Sequence, residues 1–465
     1  MKLKKLTLYQ GCAAAAVAIT AFALCGAKGG LQLALALPIA AAITIAIHRR
    51  LLHGSTAGEW VLSITATVMS LGITLNTYYF TSVLGGTLDA PVLLNSDALR
   101  YFTYAENLYD GDFSAAFGDF LGIPIITAAL WIVLGKSIVW ALAACMALTL
   151  MAISLSGRLA AILLRHSRPS SALAMALTAA VCHFTGQGMV LLKEPLIYFA
   201  FLLTAIPLAH FYMGNRISAR LIVTFVVGCI LTALVRSHAL HFVTLGLFMF
   251  LPMQFTRKRI LTVAVATVCI FACIAGGGYL SHTGTVKQSN LASGTGEITL
   301  VYLGDDSRYD GYKSIFGEYF ELPIARRIAI LPATAAVQYA VPFPWNFVRD
   351  TEFGYSQAWN HITWPWYAIG CIILFYFIWL WRKKSTPLRL WALWAAICWL
   401  IPAYLFGGSV SRYVMPFIPI LVPLALVVIG ELRSHRHITP FKWWATSYAV
   451  VLILALTACF FIQNH

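Results

Sequence analysis

The chain has 465 residues, 60% of them hydrophobic and only 11% charged, where a soluble globular protein carries roughly 25% charged residues. That shortfall excludes a soluble enzyme. Its 32 Lys and Arg outnumber its 17 Asp and Glu for a net charge of +15, an excess that invites a nucleic-acid or acidic-surface partner until the charges are placed along the chain.

Apolar runs long enough to cross a hydrocarbon core of about 30 Å as helix recur from end to end. The first, residues 9–26, follows Met-Lys-Leu-Lys-Lys and has the charged start of a signal peptide. Gly26-Ala27-Lys28 is an imperfect cleavage site and more spans follow, so it reads as an uncleaved first span. Further spans are expected at 30–48, 60–82, 138–157, 171–187, 195–213, 219–235, 238–254, 260–280, 366–381, 388–406, 413–430 and 443–462, thirteen in all. Residues 120–135 are read as an amphipathic or re-entrant helix on the outer face, because making them a span would place Arg158, Arg165 and Arg168 outside. The ten cysteines lie in or at the ends of apolar runs, so neither disulfides nor thiolate metal sites are expected.

With the N-terminus inside, the inner loops and span ends hold 20 basic residues and two acids, Glu59 and Glu431; the outer face holds 12 basic residues and 15 acids. The inner set is +18 and the outer −3. The basic excess is therefore an orientation signal, and no nucleic-acid partner is expected. This is an all-α, polytopic transmembrane chain, 1–465 forming one integral membrane domain in the cytoplasmic (inner) membrane. A first outer loop covers 83–137, with amphipathic helices. A long outer loop covers 282–365, where Trp345, Trp359, Trp364 and Trp366 with several prolines suggest packing on the membrane surface.

Four outward constellations carry candidate chemistry. In Leu94-Asn95-Ser96-Asp97, Asn95 or Ser96 suits a helix N-cap and Gly111 a helix end, and Tyr101, Ala105 and Leu108 follow Asp97 along one face. Two roles fit Asp97: taking a proton from a hydroxyl at the water boundary, or stabilising the helix N-terminus through its dipole. Arg100 and Tyr101 beside it are candidate substrate contacts. In Leu192-Lys193-Glu194-Pro195, an ionisable pair interrupts apolar sequence, with Pro195 suited to the first turn of the next helix. It is either a functional site or an ion pair marking a span boundary. In Arg236-Ser237-His238-Ala239-Leu240-His241, Arg236 suits a phosphate. His238 and His241 lack a third ligand, so no metal is expected, and interfacial solvation is the alternative for both features. Last, Arg412 and Tyr413 head the twelfth span, either as substrate contacts or as interface anchors.

Together these residues resemble the GT-C superfamily of polytopic glycosyltransferases, which includes protein O-mannosyltransferases and the lipid A aminoarabinose transferase. Asp97-x3-Tyr101-x3-Ala105-x2-Leu108-x2-Gly111, followed by Pro124 and Leu134-Gly135, resembles the family's first outer loop. Glu194-Pro195-Leu196 resembles its second acidic position, and Arg412-Tyr413-x2-Pro416 its late Arg-Tyr-x-x-Pro span. The chain departs from the family in having three spans before that loop and Ser96-Asp97 where an Asp-Glu pair is usual. Pro342-Phe343-Pro344-Trp345 looks more like membrane proteins of polysaccharide clusters, including oligosaccharide polymerases.

The resemblance implies transfer of a sugar from a polyprenyl-phosphate-linked donor to a glycan, lipid or protein acceptor at the outer face, with membrane lipid as the surroundings and no cofactor. It implies Asp97 as the base, Glu194 as a second acid, and Lys193, Arg236 and Arg412 on the carrier phosphate, with His238, Tyr413, Arg100 and Tyr101 as further substrate contacts. A Wzy-type repeat-unit polymerase or ligase shares donor and membrane. A secondary transporter or flippase for a lipid-linked saccharide, or a non-catalytic membrane scaffold, would be of another class.

Overall fold

The computed structural model describes residues 2–50, 52, 54–112, 122–165, 168–236, 239–249, 257–282, 313–314, 317–319, 322–341, 343–344, 354–406 and 413–464. Their regular secondary structure is helical, apart from a two-residue antiparallel pairing of Lys313–Ser314 with Gly317–Glu318. Among the described residues, nine helices are long and apolar enough to cross a membrane. The chain is thus a multi-pass helical membrane protein.

The first helix, α1 (Lys2–Arg50), turns back on itself at Gly26, whose φ of 67° lies in the left-handed region. Its two arms then meet so closely that a Cβ on Gly30 would stand 2.6 Å from Phe22 Cα. These are the two spans expected at 9–26 and 30–48. α2 (Thr56–Tyr78) packs against both arms, with Tyr9 on Trp60 at 5.1 Å between ring centroids and Gln10 Nε2 donating to Ser63 Oγ at 2.9 Å. Thr65, Thr67, Thr74, Thr77 and Thr81 each donate to the carbonyl four residues back, at 2.7–2.8 Å. A Thr-rich span therefore leaves none of these hydroxyls unbonded in hydrocarbon.

α3 (Ser96–Tyr109) is capped by Asn95, whose side chain accepts from the Ala98 N–H at 3.0 Å, and ends at Gly111 with φ 84°. It packs on α4 (Gly122–Leu134). At 13 residues, α4 is about 20 Å long and too short to span. It buries Ile123, Pro124, Thr127, Ala128 and Trp131 and turns Ile125, Ile132 and Val133 outward, an apolar outer face suited to lipid or its boundary.

α5 (Ile138–Leu164), α8 (Glu194–Tyr212) and α9 (Ala219–Arg236) build the middle of the bundle with α2. Between α5 and α8 the expected span at 171–187 is broken: α6 (Arg168–Ala180) stops at Val181, and α7 (Cys182–Gly186) and a 3-10 turn at Gln187–Met189 follow. Gly186 and Gly188 permit neighbouring chain to approach this segment closely. A Cβ on Gly188 would collide with Thr149 Oγ1 and Met69, and one on Gly186 with the Asn360 side chain. Asn76 Nδ2 closes the break by donating to Met189 O at 2.9 Å, so backbone that cannot bond to itself is bonded inside the protein.

Of the expected spans 238–254 and 260–280, the first is helical over α10 (Leu240–Phe248) and the second lies within α11 (Arg257–His282). The end of the long loop forms α12 (Ile324–Ala329), α13 (Leu331–Ala340) and α14 (Ser356–Asn360). It does more than lie on a surface. α14 enters the bundle and packs on α7, with Trp359 Nε1 donating to Thr185 Oγ1 at 2.8 Å and Asn360 almost fully buried. Trp364 is exposed, Trp366 is buried against Trp399, and Pro342 and Trp345 lie outside the described residues. Replacing Gly186 with Ala is therefore expected to push α14 off α7 at a cost of about 1–3 kcal/mol. The check is the thermal unfolding midpoint in detergent; an unchanged midpoint would mean that Asn360 can move aside freely.

α15 (Trp364–Phe375), α16 (Thr386–Phe406), α17 (Ile418–Arg433) and α18 (Ile438–Asn464) complete the bundle. α17 packs on α5, α6 and α15, while α18 is outermost, with Trp443, Val451, Ile453 and Leu454 all more than 60% exposed. In water such a face would aggregate, whereas in a bilayer it is the lipid contact.

The two ends of the bundle differ in charge. Arg165, Lys384, Arg433 and Arg436 surround one recess at the end where α5 and α17 finish, and Arg49 pairs with the buried Glu59 at 2.6 Å. The opposite end carries the starts of α3 and α8 and the finish of α9.

Candidate functional site

Glu194 opens α8 and Arg236 closes α9. The two helices are packed antiparallel neighbours, so the first turn of one lies beside the last turn of the other. Each charge sits at the helix end whose dipole favours it, an acid at an N-terminus and a cation at a C-terminus. Pro195 takes the first turn of α8, where its missing N–H costs nothing.

The pair is deeply buried, Glu194 at 1% and Arg236 at 5% side-chain exposure, with Arg236 Nη2 3.8 Å from Glu194 Oε1. That distance is an ion pair but exceeds hydrogen-bond length. Neither oxygen of the Glu194 carboxylate has a hydrogen-bond donor among the described residues. Arg236 instead places its guanidinium over the Tyr413 ring, with Cζ 4.4 Å from the centroid, a cation–π contact. Lys193, immediately before α8, is also buried. Three of the four sequence constellations therefore contribute to one place: Lys193 and Glu194, Arg236, and Tyr413. His238 and Arg412 lie outside the described residues.

The first outer helix is tied to the same end. A Cβ on Gly122, at the start of α4, would stand 2.7 Å from both Leu196 Cδ2 in α8 and Val235 Cγ2 in α9. α4 thus sits over the Glu194–Arg236 junction and carries α3 on its other side. Phe102 and Tyr109 of α3 pack edge-on to Trp131 of α4 at 5.0 and 6.1 Å between centroids, and Trp131 Nε1 donates to Ser137 O at 2.8 Å. Lys136 bonds Glu106 at 2.6 Å and closes the α3–α4 unit. Asp97 is half-buried in the first turn of α3, Tyr101 is buried beneath it, and Arg100 is on the exposed face.

Sequence reasoning passed over the supporting layer. Tyr198, one turn after Glu194 on the same face of α8, stacks on Phe184 of α7 at 4.2 Å and 16° between planes. The i+4 spacing from Glu194 was the available signal for Tyr198, but nothing local announces Phe184. Cys145 of α5 reaches Leu192 O at 3.8 Å, just ahead of Lys193. His241, which the sequence had set beside His238, stands in the first turn of α10 with its Nε2 buried and without a hydrogen-bond partner among the described residues. Among those residues no three His, Cys, Asp or Glu side chains converge as a metal site.

The fold and this site define a multi-pass helical membrane protein with a desolvated carboxylate–guanidinium pair at one end of the bundle. No family model matches the chain, and no curated protein matches it. Among solved structures, the crystal structure of ArnT from Cupriavidus metallidurans in the apo state aligns with 88% of this chain and 73% of that chain, at 15% identity and a TM-score of 0.48. So loose a superposition transfers no residue roles.

Proposed function

We propose that the protein is a glycosyltransferase of the cytoplasmic membrane that moves a sugar from a polyprenyl-phosphate-linked donor to an acceptor hydroxyl on a glycan, lipid or protein. Its N-terminus lies inside and the Glu194 end faces outward, as the charge bias of the loops requires. The observation that carries this reading is the Glu194 carboxylate, buried beside Arg236 yet with no hydrogen-bond donor on either oxygen among the described residues. A buried ion pair that serves stability alone satisfies its oxygens with donors, because an unbonded buried charge is costly. A carboxylate left open beside a flat, desolvated guanidinium suits a ligand that brings both hydroxyl donors and an anion, as a sugar phosphate does.

In this reading Arg236, with Lys193 and Arg412, holds the carrier phosphate, and Tyr413 contacts Arg236 through its ring. Glu194 accepts donor-sugar hydroxyls and fixes Arg236. The acceptor oxygen attacks the anomeric carbon, the bond from that carbon to the phosphate oxygen breaks, and polyprenyl phosphate leaves with the electron pair. Asp97 takes the acceptor proton. Glu194 stands too close to the phosphate-binding cation to serve the opposite face of the sugar, which favours Asp97 as the base. Exchanging Glu194 for Gln removes charge-assisted bonds worth about 1.5–3 kcal/mol, so kcat/KM for donor in proteoliposomes is expected to fall by roughly 10- to 150-fold. A wild-type kcat/KM would reduce the pair to a structural role.

A second reading draws on the broken segment after α6. Discontinuous helices ending near a buried charge are also how transporters hold anionic substrates, so movement of the intact lipid-linked saccharide across the membrane is the rival outcome.

A further inference from the structure

At the end of the bundle opposite Glu194, the finishes of α5, α8 and α17 and the starts of α6 and α16 enclose a recess of about 730 Å³, within the size range of small-molecule pockets. Its rim carries Arg165, Lys384, Arg433 and Arg436 against one carboxylate, Glu431, a local charge of +3. Lys384 bonds Glu431. Arg165, Arg433 and Arg436 make no ion pair and no side-chain hydrogen bond among the described residues. The inner wall is apolar, with Leu173, Leu426 and Val427. Gly430 opens onto it: a Cβ there would meet nothing within 4 Å.

A second observation falls on the same rim. Among the described residues, the non-glycine residues with positive φ are Arg165 at 50°, His435 at 57° and His437 at 61°. One is a rim arginine and the other two flank Arg436. These residues end helices: the Arg165 N–H returns to Ala161 O and Ile162 O, and the Arg436 N–H to Glu431 O, which fixes the rim arginines at the mouth of the recess. An orientation signal needs only basic residues in loops. It does not require a concave wall of leucine and valine, nor four cations gathered around the single carboxylate Glu431.

We propose that this recess binds the headgroup of an anionic phospholipid, with the phosphodiester against Arg165, Arg433 and Arg436 and an acyl chain along Leu173, Leu426 and Val427. Guanidinium groups bind phosphate oxygens in pairs, and basic recesses between spans suit anionic lipid headgroups. The apolar wall selects a lipid over a free phosphate ion. The site lies away from Glu194, and its existence does not depend on the reaction proposed there.

The test is native mass spectrometry of the purified full-length protein in detergent, titrated with phosphatidylglycerol, phosphatidylcholine or inorganic phosphate. One phosphatidylglycerol is expected to bind at least 10-fold more tightly than phosphatidylcholine, with inorganic phosphate failing to displace it. The double substitution Arg433→Gln, Arg436→Gln should weaken phosphatidylglycerol by 10-fold or more without changing phosphatidylcholine. Gly430→Phe, which fills the recess and leaves every charge, should also weaken phosphatidylglycerol, and decides the matter if the double variant does not fold. Equal affinity for the two lipids, displacement by inorganic phosphate, or wild-type binding of phosphatidylglycerol by Gly430→Phe would overturn the proposal.

Discussion

Asp97→Asn is expected to lower sugar transfer by about 10²- to 10⁴-fold, the usual contribution of a positioned base, while insertion and thermal stability stay close to wild type. The reason lies in the cap of α3. Asn95 already accepts the Ala98 N–H at 3.0 Å, so Asp97 is not needed to close the helix. As an acid in the first turn it is also attracted to the helix dipole, worth about 0.3–1 kcal/mol. The two roles left open by the sequence therefore separate cleanly. If Asp97 is only a helix stabiliser, the Asn variant loses a little stability and no activity; if it is the base, stability hardly moves and kcat collapses. Initial rates with saturating lipid-linked donor, measured beside unfolding midpoints of the same preparations, read both. Full activity would remove Asp97 from the mechanism.

The largest stability effect is expected from Arg236→Ala. With Arg236 gone, the Glu194 carboxylate is buried at 1% exposure without the cation 3.8 Å away, and breaking a buried pair from one side costs about 3–5 kcal/mol. Arg236→Lys restores the charge but not the planar group that lies on Tyr413, so it should fall between the two. The double variant Glu194→Gln, Arg236→Ala should be more stable than Arg236→Ala alone, because it removes the stranded charge as well, and this non-additivity is the signature of direct coupling. Equal midpoints for wild type and Arg236→Ala would mean that water reaches the pair and that the site is not desolvated.

What the sequence revealed and what it concealed follow from the range of the forces involved. Spans are legible because hydrocarbon demands length and apolarity from each segment separately. The α3 cap, the Gly111 stop and the first-turn position of Pro195 are legible because they depend on neighbours a few residues away. The exclusion of residues 120–135 from the spans was legible through charge, since it was the only arrangement that kept Arg158, Arg165 and Arg168 with the other inner cations.

The pairing of Glu194 with Arg236 was not legible. Two ionisable residues 42 positions apart meet only because α8 and α9 pack antiparallel, and Tyr413 arrives from a segment later still. The break at Val181 was hidden for a similar reason. Residues 171–187 are apolar enough to be a span, but Gly186 yields to Asn360 and Gly188 to Thr149, contacts made by distant chain. The same holds for α14: its tryptophan suggested a surface, whereas Trp359 and Asn360 have their partners inside the bundle.

The central event of the proposed reaction is breakage, at the Glu194 end, of the bond between sugar and carrier phosphate. The direct measurement is the fate of a polyprenyl-phosphate sugar labelled in both the sugar and the phosphate, supplied with acceptor to the reconstituted protein and without any nucleotide sugar. The sugar label is expected to move to the acceptor while the phosphate label stays on the lipid, at a rate that depends on Asp97 and Arg236. Intact donor carrying both labels in the opposite leaflet, with no cleavage, would contradict it and establish transport instead.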